Sequence, residues 1–200
     1  MELKYSPLSP YARKVRVVAA ETRCADRLKL TVIDFREQRA ALEALNPLGK
    51  IPALITDDGV ALYDSPVICE YLDVTFGGSR LIPPNGARRW QVLTRAALGD
   101  GIADAAVAVR GERMREQAQQ SNAVIQAQLR KVGNALAELE RAVPPPANAL
   151  DMSDIAVVCA LDYLALRVPQ FQGYAEWSAL KAYLGRLAPR ESFAQTAPSL

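Results

Sequence analysis

The clearest sequence signal for secondary structure lies in residues 46–72, which read NPLGKIPALITDDGVALYDSPVICEYL. Residues 51–55 form a short apolar run, and the Asp57-Asp58-Gly59 that follows is typical of a tight hairpin turn. Residues 60–62 would then be the returning strand. Ser65-Pro66 predicts the start of a helix with Ser65 as its cap, because a capping serine and a proline in the first turn favour helix entry. The stretch therefore predicts a β-hairpin followed by a helix.

The chain before this stretch alternates between strands and helices. Residues 3–5 read as a short strand, and Ser9 followed by Pro10 predicts another capped helix. Residues 28–33 alternate like a strand, and residues 37–45 can form a short helix. The predicted order of elements through the N-terminal part is β-α-β-α-β-β-α.

The chain after this stretch is predicted to be entirely helical. The helical part is preceded by Gly77-Gly78-Ser79 and Pro83-Pro84-Asn85-Gly86, which are typical of a linker. Residues 155–166 are apolar on nearly every side and predict a helix that is buried all round. Asp151 and Asp154, just before it, have the spacing of a helix-capping box. The sequence therefore predicts an α/β domain, a linker and an all-α helical domain, at residues 1–76, 77–86 and 87–200.

Composition and charge exclude several classes of protein. Half of the 200 residues are apolar, enough for a buried core, and 24 Lys and Arg nearly balance 22 Asp and Glu. Because the basic cluster at residues 13–16 is short, we expect it to be a solvated helix face, and we expect no nucleic-acid partner. We also expect a soluble, cytoplasmic protein without membrane contact, since there is no signal-peptide pattern and no apolar run of about 20 residues.

The chain has no histidine, and this absence removes many catalytic sites. Ser-His-Asp hydrolysis, Cys-His proteolysis and His-rich zinc sites all need one. Cys24, Cys69 and Cys159 are far apart and odd in number, so we predict structural thiols rather than a disulfide framework. Gly99 and Gly101 each cost a helix about 1 kcal/mol relative to alanine, which predicts close packing against another helix or a partner subunit. We expect no metal and no cofactor.

Four motifs, in this order along the chain, resemble the glutathione S-transferase family. They are Ser9-Pro10-Tyr11-Ala12-Arg13, Asn46 to Pro52, Asp64 to Ile68, and Asp151 to Ile155. The resemblance is to serine-type bacterial members and covers nearly the whole chain. It implies a thioredoxin-like N-terminal α/β domain followed by an all-α helical C-terminal domain. It also implies a homodimer that uses glutathione as co-substrate and conjugates it to a hydrophobic electrophile, as in detoxification.

The resemblance assigns the sulfur and the central peptide of glutathione to two parts of the chain. Ser9 would donate a hydrogen bond to the sulfur and stabilise the thiolate; the alternative is that this serine only caps its helix. A cis bond before Pro52 would leave the Ile51 main chain to pair with the cysteinyl part of glutathione, and an ordinary trans proline is the alternative. Lys50 would reach the glycyl carboxylate.

The γ-glutamyl end of glutathione is assigned to the start of the next helix. Ser65 would hold its carboxylate, because a helix N-terminus with a hydroxyl is a ready anion site, and Asp64 would help to orient its amine. A plain helix cap is the alternative, and both roles can coexist. Ser6 is a second candidate donor to the sulfur, and the role of Arg13 stays open.

The electrophile is expected between the two domains, and the sequence does not reveal its identity. We expect it to contact five residues, Leu8, Tyr11, Ala97, Asp100 and Asp104. Two alternatives to a transferase remain open at this point. One is a non-catalytic glutathione-binding or regulatory protein of the same fold, and the other is a glutathione-dependent isomerase or dehalogenase that uses the same site.

Overall fold

The structure is a computed structural model and describes residues 1–143, 150–168 and 176–198. Its N-terminal part has the predicted order of strands and helices. In chain order the elements are β1 (Glu2–Tyr5), α1 (Pro10–Glu21), β2 (Lys29–Val32), α2 (Arg39–Leu45), β3 (Ala53–Ile55), β4 (Ala61–Leu62) and α3 (Ser65–Leu72). The strands form one sheet in the order β2-β1-β3-β4, in which only β1 and β2 are parallel. This is the predicted thioredoxin-like α/β fold.

The hairpin between β3 and β4 forms where the turn signal predicted it. The Thr56 N–H donates to the Val60 carbonyl at 2.9 Å, and Gly59 has a φ of +83°, which glycine adopts without steric cost. β3 begins at Ala53, two residues later than predicted. Pro52 has no N–H to donate to a neighbouring strand, and the ladder therefore starts after it.

The C-terminal part of the described chain is helical, as predicted. Its helices are α4 (Gly86–Arg113), α5 (Asn122–Arg141), α6 (Met152–Arg167), α7 (Ser178–Leu187) and α8 (Glu191–Ala194). α6 is buried along most of its length and begins with the predicted capping box. In this box the Asp151 carboxylate accepts the Asp154 N–H, and the Asp154 carboxylate accepts the Asp151 N–H at 3.0 Å. Across the described ranges, no helix has the length and apolar character that a membrane crossing requires.

Helices α4 and α6 pack closely where Gly99 lies. A Cβ atom added to Gly99 would lie 2.8 Å from the carbonyl carbon of Ala156 and 2.9 Å from the nitrogen of Val157. Gly101 has open space around it in the described part of the chain. The predicted close packing against another helix is therefore confirmed for Gly99, whereas no described residue makes such a contact with Gly101.

The connection between the two parts is anchored by a buried carboxylate. A single helical turn, Asp73–Gly77, follows α3. The Asp73 side chain accepts the main-chain N–H groups of residues 80–82 at 2.7–3.1 Å. Leu81 is fully buried in a core shared by the sheet, α1, α3 and the starts of α4 and α6. The middle of the predicted linker at residues 77–86 is thus anchored to the fold, and the domain boundaries themselves stay a prediction.

The basic segment of α1 is buried, so the prediction of a solvated helix face is wrong. Arg13 and Lys14 are 4% and 2% exposed. The Arg13 Nη1 pairs with Asp162 Oδ2 on α6 at 2.6 Å, and the Lys14 Nζ pairs with Asp100 Oδ1 on α4 at 2.5 Å. α1 is covered by α4, α6 and α8, and the acidic partners offset the cost of enclosing its charges. These ion pairs hold α1 in place against the helical part.

Candidate functional site

A cavity of about 710 Å³ lies between the α/β part and the helical part. One wall is formed by the N-terminus of α1, the loop before β3 and the N-terminus of α3. The opposite wall is formed by α4 and α6. The volume is within the range of roughly 300–1,000 Å³ that small-molecule sites occupy, and such sites often lie between domains.

Ser9 caps α1, as predicted, and borders the cavity. Its Oγ accepts the Ala12 N–H at 3.2 Å, and Pro10 is the first helical residue. Within the described part of the chain the Ser9 hydroxyl donates to no other group, so its proton is free for an acceptor in the cavity. Ser6 borders the same wall, and its carbonyl accepts the Ser9 N–H at 3.0 Å. The partial positive charge at the helix N-terminus adds to the attraction for an anion here.

The loop before Pro52 is shaped by the buried side chain of Asn46. Its Nδ2 donates to the Lys50 carbonyl at 2.9 Å, and its Oδ1 accepts the Leu48 N–H at 3.1 Å. The peptide bond between Ile51 and Pro52 is cis, as predicted. Ile51 borders the cavity, and its N–H and carbonyl form no hydrogen bond with the described residues. Lys50 also borders the cavity and has no acidic partner among them.

The N-terminus of α3 lies on the same wall, but its cap is one residue earlier than predicted. The Asp64 carbonyl accepts the Ile68 N–H at 3.0 Å while its own backbone is extended, which makes Asp64 the cap and Ser65 the first helical residue. The peptide bond between Tyr63 and Asp64 is also cis. The hydroxyl of the buried Ser65 bonds to nothing in the described ranges. It and the free N–H groups of the first turn can therefore bind an anion in the cavity.

Three of the five residues predicted to contact an electrophile line the cavity, namely Leu8, Tyr11 and Asp104. The Tyr11 hydroxyl donates to the Asp104 carboxylate. Burial, and then this bond, raise the pKa of Tyr11, which keeps the phenol neutral. Ala97 and Asp100 do not line the cavity. Ala97 is exposed on α4, and Asp100 lies one helical turn before Asp104, where Lys14 binds its carboxylate and burial raises its pKa.

Five further residues of the helical wall line the cavity and were not identified from the sequence. They are Val107, Ala108 and Arg110 on α4, and Tyr163 and Arg167 on α6. The first two share a helix face with Asp104, and the i, i+3, i+4 spacing could have identified them. The two α6 residues had no comparable signal, because their helix reads as buried core.

The three cysteines are buried free thiols, as predicted, and none of them lines the cavity. Burial raises the pKa of Cys69 and of Cys159 to about 12, so both stay protonated at neutral pH. Within the described ranges, no three Cys, Asp or Glu side chains come together in a way that would hold a metal ion.

Comparisons with known proteins find similar sequences and structures. Residues 8–75 match the family described as glutathione S-transferase, N-terminal domain. A glutathione transferase family member from Pseudomonas fluorescens Pf-5, crystallised with bound glutathione, is 41% identical with a TM-score of 0.94, over 100% of this chain and 99% of that one. A family member from this organism with bound S-(propanoic acid)-glutathione is 40% identical with a TM-score of 0.90, over 100% of both chains. The uncharacterized GST-like protein YibF of Escherichia coli K12 is 29% identical over 99% of this chain and 98% of its own length.

Proposed function

The chain belongs to the glutathione S-transferase family, and from this premise we propose that it binds glutathione in the cavity and transfers it, as the thiolate, to a small electrophile. One observation carries the proposal: three groups on one wall of one cavity suit three parts of the same tripeptide. Ser9 suits the sulfur, the unpaired Ile51 main chain suits the central peptide, and Ser65 at the start of α3 suits the γ-glutamyl carboxylate. Similar proteins hold glutathione or a glutathione conjugate, which supports this assignment.

The two charged neighbours of these groups complete the proposed binding mode. Lys50 attracts the glycyl carboxylate, since its ammonium group has no acidic partner in the described part of the chain. Asp64, next to Ser65, attracts the γ-glutamyl amine. The main chain at Ile51 pairs with the cysteinyl unit as an added strand would, which fixes the direction of the peptide.

The glutathione thiol needs only a modest pKa shift to become reactive. An ordinary thiol with a pKa near ~8.5 is about 3% thiolate at pH 7. Lowering that pKa by ~2 units needs roughly 2.7 kcal/mol of preference for the anion. A hydroxyl bond to a charged group supplies roughly 1.5–3 kcal/mol, and a helix N-terminus supplies roughly 0.3–1 kcal/mol. Ser9 together with α1 is therefore sufficient.

In the proposed reaction the thiolate sulfur forms a bond to an electrophilic carbon of the acceptor. In a substitution, the leaving group departs with the electron pair of the bond that breaks. In a conjugate addition, the π electrons move to the neighbouring carbon, which then takes a proton from water. We assign acceptor contacts to Leu8 and to the hydrogen-bonded pair of Tyr11 and Asp104, which border the cavity.

Calorimetric titration with glutathione tests the proposal. We expect binding of glutathione, oxidised glutathione and S-methylglutathione, and no binding of free cysteine, which lacks the γ-glutamyl and glycyl parts. A ligand at ~100 times its dissociation constant stabilises the fold by roughly 2.7 kcal/mol, so the melting temperature should rise by several degrees. Absence of binding at millimolar glutathione would overturn the transferase proposal and favour a non-catalytic protein of the same fold.

Ser9→Ala tests the thiolate step, and Ser121→Ala provides a matched control. Both serines cap a helix by accepting the N–H three residues on, at 3.2 and 3.3 Å, and Ser121 lies outside the cavity. Both variants should lose about 1 kcal/mol of stability. Only Ser9→Ala should raise the pKa of bound glutathione, measured by thiolate absorbance, and slow conjugation roughly 10- to 100-fold. An unchanged titration in Ser9→Ala but a shifted one in Ser6→Ala would move the donor role to Ser6.

We further propose a homodimer that acts in the cytoplasm. The exposed apolar side chains of Val67 on α3 and Trp90 on α4, at 48% and 66%, support a contact between chains, and three free thiols suit a reducing compartment. Sedimentation at micromolar concentration should give about twice the 21.8 kDa of the chain, and a strictly monomeric mass would contradict the dimer.

A further inference from the structure

Two arginines stand at the helical end of the cavity. Arg110 is in the last turn of α4, and Arg167 is the last residue of α6. Both line the cavity, as does Tyr163, and the charge of each arginine acts on the Tyr163 hydroxyl. The two cations therefore share one small region although they come from different helices.

Neither arginine has an acidic partner in the part of the chain that the structure describes. Among other partly buried arginines, Arg89 pairs with Glu70 at 2.8 Å and Arg190 with Glu21 at 3.0 Å, whereas Arg16 stacks on the Tyr5 ring. The Nε of Arg167 is buried and has no hydrogen-bond partner. The sequence of residues 144–149 and 169–175 contains no Asp or Glu, so these segments hold no acidic side chain that could pair with either arginine.

The neighbours of the two arginines leave the region with a positive charge. Of the acids nearest to Arg110 along α4, Glu112 pairs with Arg115 at 3.2 Å, and the Asp104 carboxylate accepts the Tyr11 hydroxyl. Tyr163 is buried, and burial raises its pKa, so its hydroxyl is neutral and can donate a hydrogen bond to an anion. Val107 and Ala108 supply the apolar surface beside these groups.

We infer that the electrophile carries a carboxylate, which Arg110 and Arg167 bind. This inference rests on the proposed function and names the class of acceptor. The planar guanidinium group matches a carboxylate with two parallel hydrogen bonds, and such a ligand would satisfy two partly buried cations that have no acidic partner among the described residues. The carboxylates of glutathione itself belong to the opposite wall, at Lys50 and Ser65, so this region serves the group attached to sulfur.

The charge of the arginines also addresses a difficulty of the reaction. A thiolate and an anionic acceptor repel each other, and two cations beside the acceptor carboxylate remove that repulsion. With an α,β-unsaturated acid, the sulfur bonds to the β-carbon, the π pair moves to the α-carbon, and that carbon takes a proton from water. With a halogenated acid, the new C–S bond replaces the C–halogen bond, and halide leaves with the electron pair.

Binding of matched glutathione derivatives tests the inference without depending on turnover. The probes are S-(carboxymethyl)glutathione and S-(2-carboxyethyl)glutathione, each compared with its carboxamide, which has nearly the same shape but no charge. S-methylglutathione is the reference for the shared peptide. By calorimetry, the native protein should bind the acids roughly 10-fold or more tightly than the amides.

The variants Arg110→Gln and Arg167→Gln should each lose most of this preference and keep their affinity for S-methylglutathione. Arg141→Gln is the control, since Arg141 is exposed on α5 and pairs with Glu138 there. Arg167→Lys should keep part of the preference, because charge remains while the two-pronged geometry is lost. Equal affinity of the native protein for acid and amide, or a preference that survives both glutamine variants, would overturn the inference. Failure of every derivative to bind, S-methylglutathione included, would instead overturn the proposed function and this inference with it.

Discussion

Replacing Gly99 with alanine should destabilise the fold, although alanine is the better helix former. Gly99 is the point where α4 meets the main chain of α6, and a Cβ there would lie 2.8 Å from the Ala156 carbonyl carbon. Carbon atoms in contact are normally ~3.5–4.0 Å apart, so the two helices must separate by roughly 1 Å. The nearest atoms belong to the main chain, and no side-chain rotation can relieve the clash.

The size of the effect follows from two opposing contributions. An overpacked site costs roughly 1–3 kcal/mol, and a clash with main chain belongs at the upper end of that range. The higher helix propensity of alanine offsets about 1 kcal/mol of this cost, which leaves a net loss of about 2 kcal/mol of stability. Gly101→Ala, two residues later on the same helix, meets no atom within 4 Å and should gain up to about 1 kcal/mol. Since the propensity contribution is common to both variants, their difference of about 3 kcal/mol isolates the clash.

Urea unfolding, followed by circular dichroism and by the fluorescence of Trp90 and Trp177, measures the free energy of unfolding of both variants. Thermal unfolding measures their melting temperatures. For a chain of this length 1 kcal/mol shifts the melting temperature by roughly 2–4 °C, so Gly99→Ala should melt about 4–8 °C lower than the native protein. The reasoning is refuted if Gly99→Ala proves as stable as Gly101→Ala. A loss of stability in Gly101→Ala that varies with protein concentration would show that a second chain contacts this position.

Two other contacts give predictions of stability. Asp73→Asn should cost about 3 kcal/mol or more in urea unfolding, because the buried carboxylate accepts three main-chain N–H groups and an amide has one acceptor oxygen; a loss below about 1 kcal/mol would contradict this. Burial raises the pKa of Glu21, but hydrogen bonds from Arg190 and Ser192 outweigh it and hold that pKa below the ordinary 4.5. A lowered folded pKa means that this stabilisation is present above pH 4.5 and is lost as pH falls through the folded value. The stability difference between native protein and Glu21→Gln should therefore be constant near neutrality and shrink below pH 4.5, and a difference independent of pH down to 3 would exclude this role.

Much of the fold follows from signals that span only a few residues. Ser9 and Pro10 start α1, residues 57–59 turn the hairpin, and Asp151 caps α6 together with Asp154. The partners in each of these contacts are at most four positions apart, so the order of residues alone brings them together. The local sequence did not determine the cap of α3, because serine and aspartate are both good capping residues. The extended backbone of Asp64 makes that residue the cap.

The proposed glutathione contacts were predicted from motifs and not from periodicity. Nothing in composition or hydrophobic pattern distinguishes a cis from a trans bond before Pro52, and the resemblance to a known family supplied that expectation. Sequence motifs could identify this wall of the cavity because its three parts are each a few consecutive residues at the end of a strand or the start of a helix.

The helical wall and the buried charges were decided by tertiary structure. Arg13 and Lys14 resemble any basic helix face, and only their acidic partners, 149 and 86 positions away, explain their burial. Arg110 lies in the last turn of α4 and Arg167 ends α6, and the packing of those helices brings both to the cavity, where neither pairs with an acid among the described residues. Local periodicity tells which face of a helix is apolar. Whether a charge on another face meets water, a carboxylate or a ligand depends on which distant segment packs against it, and no pattern within the helix records that.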